Sequence, residues 1–122
     1  MKPVVWIGPT KDTLSAFPRA AKEDIGHALY VAQQGGKHPA AKPLKGFGGA
    51  GVLEIVEDFD GDTYRAIYTV EFEEAIYVLD VYQKKSASGI ATPKPVRERI
   101  ARRHAVAQRE HRRWLERRSP PA

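Results

Sequence analysis

The sequence predicts an α+β domain built on a mainly antiparallel four-stranded sheet, with an N-terminal helical hairpin, a C-terminal basic helix, and the helices packed on one side. Three observations carry that prediction. Alternating β-branched and aromatic runs separated by turn residues fill 52–85, a three-and-four apolar spacing fills 18–34, and the final 29 residues are crowded with arginine. A chain of 122 residues has room for one such domain, and 42% hydrophobic residues suffice for its core.

The first strand is "PVVWIG" (3–8), a short apolar run ended by Gly-Pro. Thr10 is placed to cap a short helix over Asp12–Phe17. Pro18 suits the first position of a longer helix, where its missing N–H costs nothing. Along that helix Ala21, Ile25, Ala28, Leu29 and Ala32 form one stripe, and Gly35 and Gly36 end it. Residues 37–51, with two prolines and four glycines, read as a loop. Three strands follow, Val52–Asp58, Tyr64–Phe72 and Ala75–Lys85, joined into hairpins by "FDGD" and "EFEEA". In the middle strand Tyr64, Ala66, Tyr68, Val70 and Phe72 share the core face, while Arg65, Ile67 and Thr69 share the other. Thr92 and Pro93 start a helix running to about residue 118. Its apolar positions, Val96, Ile100, Ala107, Trp114 and Leu115, are sparse, so docking at one end only is expected, with "SPPA" as a frayed tail.

The absence of cysteine removes disulfides, thiolate nucleophiles and cysteine-based zinc sites. The N-terminal apolar run is five residues long, short of the roughly 7–15 of a signal-peptide core, and no stretch approaches the ~20 that span a bilayer. A cytoplasmic protein with no membrane partner is expected. Charge is uneven. Residues 94–122 hold ten Lys or Arg against three Glu, a net of +7 that leaves −2 for the rest of a chain of net +5. Such clustering suits a polyanion or an acidic protein as partner.

Four cations converge at one end of the expected meander: Lys45 in the glycine loop, Arg65 on the middle strand, and Lys84 and Lys85 at the end of the last. Crowded like charges without a carboxylate in their own segments call for an external anion. Phosphate fits best, because arginine grips it bidentately and lysines neutralise charge that develops in phosphoryl transfer. The competing reading makes the strand-end lysines solvated edge guards. Alternation sends Lys84 and Lys85 to opposite faces, so one must join the Arg65 face, and the pattern leaves open which.

Two stretches, "AKPLKGFGGAGVLEIVEDFDGDTYRAIYTV" and "AIYVLDVYQKKSASGIATPK", contain three distinctive pieces: "KPLKG", "DGDTYRAIY" and "YQKKS" followed by "GIATP". On these the chain resembles, over residues 3–103, the phage-derived host-inhibition proteins of the RelE/ParE toxin superfamily, the HigB-like toxins of type II toxin–antitoxin systems. The resemblance implies a RelE-like toxin domain over 1–104, with 105–122 a basic helical extension and tail. It implies a metal-independent endoribonuclease that enters the ribosomal A site, cleaves mRNA by 2′-OH attack on the adjacent phosphate, and needs no cofactor. Arg65 matches the family's strand arginine and would stabilise the phosphorane. Lys84 and Lys85 match its lysine pair as phosphate and leaving-group contacts, and Lys45 matches a second phosphate contact or a proton acceptor. Tyr82, Ser86, Tyr64, Lys94 and Arg97 are the candidate RNA contacts; for Tyr64, as for Tyr68, core packing competes with stacking on a base. The implied partners are the ribosome, mRNA and a cognate antitoxin, of helix-turn-helix type, covering the basic cleft.

The segment "HAVAQREHRRWLERR" extends past the family pattern and has three open readings: contact with ribosomal RNA, a solvated helix covering the core with Trp114, or pairing with an acidic antitoxin segment. Two functional alternatives stand beside the nuclease. One is a ParE-like gyrase inhibitor, which does not need Arg65, Lys84 and Lys85 to converge; the other is a non-catalytic nucleic-acid or partner-binding module using the Arg-rich helix. Metal binding is not expected, since the four histidines lack metal-site spacing and Glu110 is poorly placed beside His104 and His111. His38 reads as a surface histidine or a proton carrier near Lys45. "EDFDGD" reads as a hairpin turn, and "GFGGAG" does not open a helix as a phosphate loop must.

Overall fold

The computed structural model describes residues 1–47, 49, 51–84 and 92–118. In chain order the elements are β1 (Val4–Trp6), α1 (Thr10–Ser15), α2 (Arg19–Gln33), β2 (Lys42–Pro43), β3 (Val52–Phe59), β4 (Asp62–Thr69), β5 (Ile76–Lys84) and α3 (Lys94–Arg118). The strands form one sheet in the order β1-β5-β4-β3-β2. The α+β class therefore holds, but the sheet is larger than expected and mixed. β1 runs parallel to β5, and the fifth strand is β2, which pairs Lys42 with Glu54 and Pro43 with Leu53 inside the segment expected to be a loop. Pro43 has no N–H to donate, so β2 is confined to the sheet edge.

Local signals place the first half well. The stripe Ala21, Ile25, Ala28, Leu29 and Ala32 is the buried face of α2. The helix ends as its glycines require: Gly35, with φ of 87°, donates to the Ala32 carbonyl and Gly36 donates to that of Val31, a paired Schellman closure. Thr10 does not cap α1. It is the first helical residue, and its buried hydroxyl lacks a partner among the described residues. Between β3 and β4, Asp60 and Gly61 have φ of 52° and 84°, the two positive values that a two-residue type I′ loop needs.

The helices occupy both faces of the sheet rather than one. Leu14 of α1 and the α2 stripe pack with Leu53, Ile55, Ala66, Tyr68, Ile76 and Val78. On the other face Ile100 and Ala107 of α3 pack with Val52, Ile67, Tyr77 and Leu79. Central β4 is consequently buried on both sides from Thr63 to Thr69. The expected end-only docking of α3 is also overturned. Arg99, Arg103, His104, Gln108 and His111 all reach the sheet or the β4–β5 connection, so polar contacts supply what its few apolar residues cannot.

One irregularity sets the geometry of the site. Tyr68 pairs with Val78 but Ile67 pairs with Asp80, leaving Leu79 as an extra residue in β5. The bulge reverses the alternation beyond it. Asp80, Tyr82 and Lys84 stand opposite Ile67, Arg65 and Thr63, on the α3 face.

Candidate functional site

Arg65 sits mid-sheet on that face, 7% exposed, with Tyr82 directly across on β5. A guanidinium at such depth needs a counter-charge, and Glu54 of β3 supplies it: Nη1 donates to Oε2 at 3.1 Å. Its Nε has no hydrogen-bond partner among the described residues. Burial raises the Tyr82 pKa, against the opposing pull of the Arg65 charge. The phenol stays protonated at neutral pH and can donate. The choice between the two lysines is settled for one of them, since the register puts Lys84 on the Arg65 face. Lys85 and Ser86 lie outside the described residues.

Lys45, Lys94 and Arg97 come together separately. A cleft of about 290 Å³ separates the turn Lys45–Phe47 from the first two turns of α3, and these three exposed cations line it with Phe47, Glu98 and Ala101. On the helix, Lys94, Arg97, Glu98 and Ala101 follow the spacing of a single stripe facing the loop. Cleft and arginine belong to the same side of the sheet, where Phe47, Val96 and Tyr82 pack against the second core.

Two tyrosines are not brought to this side. Tyr64 is 7% exposed with its ring edge-on, at 4.8 Å, to Phe17 in the link between α1 and α2, and Tyr68 is fully buried in the first core. Neither can stack on a base in this arrangement. Tyr68 is packed deeply enough that burial lifts its pKa to about 12. His38 stands edge-on to His27 of α2 and does not line the cleft.

Several residues that hold the site together were not legible in the sequence. Asp80, 2% exposed, accepts Nε and Nη2 of Arg99 on Oδ2 at 3.1 and 2.7 Å, and Nη1 of Arg103 on Oδ1 at 2.9 Å. The same Arg103 nitrogen donates to the carbonyl of Leu79, the bulged residue. Gly8, with φ of 61°, leaves room for the Arg103 guanidinium, which a Cβ there would meet at 3.4 Å. Further along α3, His104 contacts Glu71, and buried His111 bridges the Tyr77 hydroxyl (3.0 Å) and Glu74 (2.8 Å) while stacking on Phe72. That hydrogen bond holds the Glu74 carboxyl below its usual range. The only early hint of these clasps was an excess of arginine and histidine at helical spacing.

Among the described residues no group of three or more His, Asp or Glu side chains is arranged to hold a metal ion, and no helix is long and apolar enough to cross a membrane. An α+β domain with a buried arginine and a basic cleft on one face defines a candidate anion-handling protein. The family model "Phage derived protein Gp49-like (DUF891)" matches residues 12–105, and the chain belongs to this family, one of RelE/HigB-like toxins. No curated protein and no solved structure gives a significant match.

Proposed function

We propose that this protein is the toxin of a type II toxin–antitoxin system and acts as a metal-independent, ribosome-dependent mRNA endonuclease. The observation that carries the reading is Arg65: a buried guanidinium with an unpartnered Nε among the described residues, facing Tyr82, with Lys84 on the same face, in a chain of a toxin family. In 2′-OH attack the hydroxyl loses a proton, negative charge builds on the non-bridging phosphate oxygens, and the 5′-oxygen departs with a proton. Arg65 meets the developing charge. Glu54, held 3.1 Å from Arg65, takes the 2′-hydroxyl proton, a role for which the resemblance offered Lys45. Tyr82 and Lys84 supply donors on the leaving side. Lys45, Lys94 and Arg97 hold flanking phosphates, and a cognate antitoxin covers this cationic face.

Primer extension on a translated message, after induction of wild type or Arg65→Ala, tests the reading. Cleavage in the A site should fall about 10²–10³-fold in the variant, the scale of losing one transition-state donor. Undiminished cleavage and growth arrest by Arg65→Ala would end the proposal. On a minimal RNA substrate, cleavage should survive EDTA; strict dependence on an added transition metal counts against it.

A second reading is favoured by one observation. Arg65 is deeply buried and ion-paired, whereas Arg102, Arg109 and Arg117 are exposed along α3, as in a non-catalytic binding module. Truncating residues 105–122 cannot test this, because Ala107 and His111 are buried. Reversing Arg102, Arg109 and Arg117 to Glu can. Loss of growth arrest there, with Arg65→Ala fully toxic, selects the module.

A further inference from the structure

We propose that the cleft between the Lys45–Phe47 turn and the start of α3 is a single-nucleotide subsite that selects a base bearing an amino group, with Phe47 as its stacking platform and Glu98 as its reader. This rests on the RNA-cleavage reading above and adds a specificity element to it.

The cleft, of about 290 Å³, has room for a single base. Its polar walls divide into two kinds. Lys45, Lys94 and Arg97 are exposed cations at the rim, where flanking phosphates of a single strand would pass. Phe47 is half-buried and supported from behind: it packs against the second core, and the His104 ring stands edge-on to it at 6.0 Å. An aromatic ring fixed beneath a cationic rim is how unpaired bases are held without regard to sequence.

Glu98 is the group that a phosphate site alone does not explain. It lines the cleft among three cations, yet it forms no ion pair or hydrogen bond among the described residues. A carboxylate repels phosphate but accepts hydrogen bonds from the exocyclic amino groups of cytosine, adenine and guanine. Uracil turns carbonyl oxygens outward, flanking a single N–H, and is discriminated against. The same carboxylate disfavours an acidic peptide as the occupant. Gly46, with φ of 91° and no atom within 4 Å of a Cβ position, lets the chain turn so that Lys45 and Phe47 border the same space.

The test uses full-length Arg65→Ala protein, so that RNA stays intact, and fluorescence anisotropy with labelled five-nucleotide RNAs. One probe is all uridine; the others carry a central C, A or G. Amino-bearing centres should bind about tenfold more tightly than uridine, and Glu98→Ala, which removes the acceptor, should erase most of that ratio. Phe47→Leu should weaken every probe alike, and Lys94→Ala should lower the salt slope by about 0.7. Equal binding of all probes overturns the subsite, as does an unchanged ratio in Glu98→Ala, whose exposed position makes misfolding no excuse. Displacement of RNA by a tighter-binding oligo-glutamate peptide overturns it in favour of a protein partner. Cut-site mapping separates this proposal from the one it rests on. Cleavage by the otherwise wild-type Glu98→Ala protein with an unchanged base distribution sinks the subsite and leaves the nuclease standing. Selective binding without any cleavage by wild type does the reverse.

Discussion

Beneath α1 and α2 the sheet buries aliphatic residues and two tyrosines, whereas beneath α3 it buries Thr63, Arg65, Thr69 and Asp80 among its apolar side chains, and α3 adds His111. The first face is held by area removed from water, which is insensitive to direction. The second is held by groups that bond only in one geometry: carboxylate to guanidinium, imidazole to carboxylate and phenol. Burying charge is costly unless it is paired, so such a face contributes less net stability per residue but fixes α3 in one position. Among the described residues the candidate cations lie on this side, Arg65 and Lys84 on the sheet, Lys45 in the loop before β3 and Lys94 and Arg97 on the helix. One face holds the fold together while the other positions charge.

Four substitutions probe that contrast, in descending order of effect. Ile25→Ala, at a wholly buried position of α2, should cost about 4 kcal/mol in urea unfolding with little dependence on salt. Asp80→Ala should cost about 3 kcal/mol by leaving Arg99 and Arg103 without their shared carboxylate. In that background Arg99→Ala and Arg103→Ala should add much less than they cost alone, and amide exchange should quicken along α3 while α2 stays protected. An additive cycle would mean that the clasp does not dock the helix. Gly8→Ala combines an unfavourable φ with contact on Arg103 and should cost about 1 kcal/mol, shrinking when Arg103 is also alanine.

The smallest effect has the opposite sign. Glu57 of β3 is raised to about 7 by burial first and then by its hydrogen bond with Asp24 and the charges of Asp24 and Asp58. Because its folded pKa lies above the ordinary 4.5, the folded chain holds an extra proton between these values, and stability falls as pH rises from about 4.5 to 7. Glu57 is only partly buried, so screening shrinks the effect. Glu57→Gln should raise Tm slightly at pH 8 and hardly at all at pH 4. Destabilisation at pH 8 would show the pair to be favourable as it stands.

What the sequence determined by itself was whatever a few neighbouring residues encode: the α2 stripe and its Gly35–Gly36 closure, the Asp60–Gly61 hairpin, four of the sheet's five strands, and the presence of Arg65, Lys45 and Lys84 as candidate cations. Periodicity and turn chemistry act over one or two turns of chain, so they can be read there. Tertiary structure alone decided the rest. Two residues with a proline gave no strand signal until Lys42 lay beside Glu54. The bulge at Leu79 is invisible to alternation, yet it turns Asp80, Tyr82 and Lys84 toward Arg65. Arg65 found its carboxylate 11 residues away, and α3 found Asp80, Glu71 and Glu74 across separations of 19 to 37. Such pairings depend on register and on which side of the sheet a helix lands, and those are settled only when distant segments pack together.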